Sequence, residues 1–88
     1  MMKNDQVRLS GDDTLLNIEI NDAWRKITVS REALEDHLGL APEAAAALDG
    51  ERRCQLVREN MAFVFAAVRR KLRERPDAQR ITLSSGEM

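Results

Sequence analysis

The residues best suited to chemistry at neutral pH in this sequence are its single histidine, His37, and its single cysteine, Cys54. His37 follows Asp36, and a carboxylate beside an imidazole is a pairing that general acid–base catalysis uses. Adjacent residues on a helix, however, point to different sides of it. No nucleophile or second base stands at a spacing that would complete the pair, so a surface histidine near a helix end is the simpler reading. Cys54 would have to be a thiolate with a base in reach to act as a nucleophile. Arg52 and Arg53 are placed to favour the thiolate, but Cys54 falls on an apolar stripe, where a free cysteine is usually a small core residue. Zinc needs three or four nitrogen or sulfur ligands, more than one His and one Cys supply. There is no phosphate-cradling glycine loop and no pair of carboxylates that stands out. The expectation is a non-enzymatic protein without catalytic residues, metal ligands or a cofactor.

The remaining chemistry is electrostatic. Arg69, Arg70, Lys71 and Arg73, with Arg75 beyond them, form the one basic cluster. Such a cluster is suited to the phosphates of a nucleic acid. It also complements the negative end of the helix that carries it, which needs no ligand. The chain as a whole has a net charge of −1 and only three aromatic residues, one Trp and two Phe. Nucleic-acid modules are usually basic overall, so phosphate contact is the secondary reading. Charge is nevertheless unevenly spread. Residues 1–50 hold 5 basic against 10 acidic side chains, a net of −5, and residues 51–75 hold 8 against 3, a net of +5. A polarity of this kind bears on partners or on self-docking. A helix-turn-helix over 31–50 fails chemically, because its recognition helix would be Pro42-Glu43-Ala44-Ala45-Ala46-Ala47-Leu48, without a cation.

These residues have to be held by a small α+β fold. Val7-Arg8-Leu9 starts a short strand before a turn at Ser10-Gly11-Asp12-Asp13. Leu16, Ile18 and Ile20 alternate with Asn17 and Glu19 as in a half-buried strand. Asn21-Asp22 suits a tight turn, and the run from Trp24 to Val29 completes an antiparallel hairpin. Ser30 stands where an N-cap belongs, ahead of a short helix over 31–38 that Gly39 ends. Pro42 opens an alanine-rich helical stretch that breaks or kinks at Asp49-Gly50, with Asp49 able to cap a new helix.

Residues 51–75 carry the clearest periodicity. Cys54, Val57, Met61, Val64, Val68 and Leu72 recur at helical spacing, broadened by Leu56, Phe63 and Phe65, and Pro76 ends the run. One straight helix of that length spans about 37 Å. A globule of this size is only ~25 Å across, with a radius of gyration of about 12 Å. The expected overhang argues for a homodimer built on this helix, with Met61, Phe65, Val68 and Leu72 as candidate interface residues and one aromatic facing the partner. A short strand over 79–83 and a frayed 84–88 tail close the chain, and residues 1–5 are expected to fray as well. No run of about 18 apolar residues occurs, so no membrane-spanning helix is expected. The opening Met1-Met2-Lys3-Asn4-Asp5-Gln6 leads into charged sequence, which predicts no signal peptide and a cytoplasmic setting.

The stretch Ile27-Thr28-Val29-Ser30-Arg31-Glu32-Ala33-Leu34-Glu35-Asp36-His37-Leu38-Gly39 resembles the signature of a family of short bacterial proteins, domain of unknown function 1488. There a strand runs into Ser-Arg-Glu-Ala-Leu and a short helix ending at Phe-Gly or Leu-Gly, before an arginine-rich helix and an Ile-Thr-Leu strand. Val57 to Leu72 and Arg80-Ile81-Thr82-Leu83-Ser84-Ser85 occupy the corresponding places across residues 14–86. The Ala-rich 41–50 segment and the more apolar long helix depart from that pattern. The resemblance implies a compact α+β fold and assigns no functional residue; the chain is expected to form a single α+β domain over residues 1–88.

Overall fold

Asn21 and Asp22 both adopt left-handed backbone angles, φ 55° and 62°. Two consecutive positive φ values define the tight hairpin turn whose twist matches that of its flanking strands. They join strand β3, Asp13–Ile20, to strand β4, Ala23–Val29, in register from Thr14 opposite Val29 to Ile20 opposite Ala23. The computed structural model describes residues 3–4, 7–41, 43–44 and 47–87. The expected hairpin is the centre of its sheet.

Strands β1, Lys3–Asn4, and β2, Arg8–Ser10, both lie antiparallel to β3 along the same edge. Asn4 pairs with Ile18 and Arg8 with Leu15. Strand β5, Arg80–Leu83, lies parallel to β4 on the other side. Four strand positions therefore form a mixed sheet with β5 at one edge.

The β4–β5 crossover is helical. Helix α1, Arg31–Leu38, starts at Ser30, whose Oγ accepts the Ala33 amide at 3.1 Å. It ends at Gly39, φ 64°, where the Gly39 and Leu40 amides donate to Asp36 and Glu35 carbonyls. This is the pairing of a helix closed by a left-handed glycine. Arg31 ties α1 to the β2–β3 turn: its amide donates to Asp13 at 3.1 Å, and its guanidinium pairs with Asp12 and Glu35. Of the alanine-rich stretch, Glu43 and Ala44 are helical; Pro42, Ala45 and Ala46 lie outside the described residues. Helix α2, Gly50–Glu59, begins at Asp49, which accepts the Arg52 amide at 2.7 Å. Gly50 opens α2 beneath Leu9 of β2, where a β-carbon would collide with Leu9 Cδ1.

The single helix expected over 51–75 is two helices. Asn60 leaves helical geometry at φ −112°, ψ 24° and separates α2 from α3, Met61–Glu74. Its side-chain amide donates to the Leu56 carbonyl at 2.7 Å, and its backbone amide donates to both Leu56 and Val57. An asparagine that can bond its own backbone competes with regular helix, which is the local cause of the break. The apolar repeat continues across it. Cys54, Leu56, Val57, Val64, Ala67, Val68 and Leu72 are buried, with Met61 and Phe65 half-buried against them. They meet Leu16, Ile18, Ile20, Ile27, Val29, Ile81 and Leu83 from one face of the sheet. The helices cover that face alone. On the other, Leu15, Asn17 and Thr28 are half-buried, and Trp24, Lys26, Arg80 and Thr82 are exposed.

Candidate functional site

Three surfaces merit description: the basic end of α3, the helix layer around Phe63, and the open side of the sheet with its β5 edge. At the first, the tail expected to fray is instead folded. Ser84 to Glu87 form a turn closed by the Glu87 amide and the Ser84 carbonyl at 3.0 Å, with Gly86 at φ 78°. The Glu87 carboxylate accepts the Ser84 amide at 2.6 Å and pairs with Lys71, and its carbonyl accepts Arg70 at 2.8 Å. Ser85 donates to Asp36 on α1. The Lys71 hydrogen bond, followed by the Ser84 amide, holds the Glu87 carboxyl below its ordinary value. The tail thus staples α1 to α3 and occupies two of the four cations proposed as phosphate contacts. Arg69 and Arg73 are exposed.

At the second surface, His37 is half-buried and sets its ring 4.3 Å from that of Phe63, tilted by 57°. Phe63 is 51% exposed and is the outward aromatic of α3. That changes the interface expected from the sequence. Val68 and Leu72 lie in this chain's own core and have no surface to offer a partner, and Met61 and Phe65 lean onto that core. Val64, Ala67, Val68 and Leu72 are all buried along α3, on the side that packs against the sheet. Cys54 is a buried free thiol, and no group of three or more His, Cys, Asp or Glu able to hold a metal occurs among the described residues.

At the third surface, Trp24 stands 52% exposed on the bare sheet face, with Lys26 two residues along β4 and Arg80 directly opposite Lys26 on β5. Among the described residues nothing pairs with the outer edge of β5. Beside that edge lies a groove of ≈ 310 Å³ lined by Lys71 and Glu74 of α3, by Arg75 and Ala78 beyond it, and by Arg80, Ile81 and Thr82 of β5. Arg25 anchors the near end of β5 from within. It is 6% exposed on the covered face, opposite Ile18, and its Nη1 donates to the Ala78 carbonyl while Nε has no partner.

Sequence reasoning passed over Arg25, Trp24, Thr82 and Glu87. A signal existed for Arg25, which shares the inward parity of Ile27 and Val29. No local signal marks Thr82 or Glu87, because their settings depend on contacts made across the whole chain. No helix among the described residues is long and apolar enough to cross a membrane. No family model, no curated protein and no solved structure matches the chain.

Proposed function

We propose that this chain is a small non-enzymatic interaction module that works as a homodimer in the cytoplasm. One observation carries the reading: among the described residues, helices cover only one face of the sheet, leaving a face that presents Trp24 and a β5 edge without a neighbour. Exposed aromatic residues and unpaired strand edges are the features that protein–protein contacts use. The chemistry of the described residues adds support, since the His37 ring packs against that of Phe63 and Cys54 is buried. The nucleic-acid alternative rests on Arg69, Arg70, Lys71 and Arg73, and it is weakened because Arg70 and Lys71 already serve the chain's own Glu87.

Sedimentation of the full chain across micromolar concentrations tests the reading. The weight-average mass should rise toward twice 10.0 kDa. A mass of 10.0 kDa at every concentration would overturn it. Retention of the full chain on single-stranded DNA that falls steeply with salt would favour the alternative.

A further inference from the structure

The geometry points to the outer edge of β5 as the seam of the homodimer, with the occupant of that edge a second copy of β5 running antiparallel about a two-fold axis at Ile81. This inference rests on the self-association reading and specifies its surface.

Backbone groups alternate sides along a strand. The Lys26 amide donates to the Gln79 carbonyl, and the Ser30 amide donates to the Leu83 carbonyl. Residues 79, 81 and 83 therefore turn their backbone groups toward β4, and Arg80 and Thr82 turn theirs outward. The next outward amide, that of Ser84, is already taken by the Glu87 carboxylate at 2.6 Å. Among the described residues, what remains open is one N–H and one C=O on each of Arg80 and Thr82.

That set is self-complementary. With Ile81 opposite its own copy, Arg80 of each chain faces Thr82 of the other, and the pairs exchange four backbone hydrogen bonds. Cations do not stand directly opposite each other in this register, a juxtaposition that destabilises paired strands. The groove beside the edge repeats the complementarity, since it presents both Glu74 and Arg75, each able to meet its opposite in the second copy. The far edge of the sheet is a poor competitor. There β1 and β2 are only 2 and 3 residues long, and very short edge strands discourage strand addition. A seam of this size is small among dimer interfaces and should be reversible.

The test uses the full chain and the Thr82→Pro variant. Proline removes an amide that the fold itself does not use, and an edge position with its N–H outward tolerates it. Expected are a parent whose mass rises toward twice 10.0 kDa and a variant that keeps its melting transition yet stays at 10.0 kDa. Amide exchange on the parent decides independently of whether the variant folds. Arg80 and Thr82 amides should gain protection as concentration rises, while Ile81 and Leu83 are protected throughout. A parent that dimerises with Arg80 and Thr82 equally exposed to exchange at all concentrations overturns the seam, as does a folded variant that still dimerises. Either result leaves self-association standing. A parent that is monomeric throughout removes both.

Discussion

Ser30 and Arg25 sit five positions apart, and they show how differently a polar side chain can serve a fold. Ser30 satisfies an amide that the first turn of α1 would otherwise leave unpaired, and it does so within three residues. Ser30→Ala should lower stability by about 0.5–2 kcal/mol, read as a lower urea midpoint at unchanged slope. An unaltered midpoint would mean that α1 does not depend on its cap. Arg25 acts over a longer range, since Ala78 lies 53 residues away. Its aliphatic stem fills space among the inward side chains, and its guanidinium holds the carbonyl that precedes β5. Arg25→Ala should therefore cost about 2–4 kcal/mol, combining a cavity with an orphaned carbonyl. Arg25→Met should recover most of that loss, because the stem supplies packing that methionine can replace. If Met is as damaging as Ala, the guanidinium bond outweighs the packing, and the two urea midpoints decide between them.

Among the elements, the legible ones are those whose start and stop signals are local. Ser30 with Gly39, Asp49 ahead of α2, and Asn21-Asp22 between β3 and β4 each act within a few residues, and each stands where the sequence placed it. The break at Asn60 escaped the reading because an apolar repeat carries on through a one-residue interruption, and periodicity reports faces rather than axes. The direction of β5 was equally hidden, since parallel pairing with β4 is decided by the helical crossover between them. The tail was misread for an electrostatic reason. A polar Ser-Ser-Gly-Glu end looks frayed until the cations of α3 are seen beside it.

That contact has a pH dependence with a definite sign. The folded Glu87 carboxyl lies below its ordinary value of 4.5, so its contribution is complete above pH 4.5 and is lost as pH falls through the lowered folded value. The Ser84 amide, which donates to that carboxylate, should report the change in its NMR chemical shift with a midpoint below 4.5. Glu87→Gln should abolish the transition. A Ser84 midpoint at or above 4.5 would show that Lys71 does not hold the tail in solution.

For the whole molecule, the question is whether association runs through an apolar patch or through backbone. Among the described residues three large apolar side chains are exposed, on different parts of the surface: Leu9 on β2, Trp24 on the uncovered sheet face, Phe63 on the helix layer. Scattered singly, such residues are ordinary surface and form no contiguous patch. The stripe that was expected to drive dimerisation is spent on this chain's own core, with Val68 and Leu72 closed off against the sheet. Directional backbone pairing at β5 is then the stronger basis for contact, and it predicts indifference to the helix layer. Phe63→Glu removes the ring contact with His37 and should lower stability by no more than about 1.5 kcal/mol, leaving the chain folded. Its sedimentation should match the parent's at each concentration. If Phe63→Glu instead holds the chain at 10.0 kDa, the dimer is built on α3 after all, and the β5 edge is free in solution. Phe65→Glu cannot substitute for this experiment. Phe65 is packed against the core, so a charge there lowers stability directly, and any loss of dimer would follow from the weakened fold.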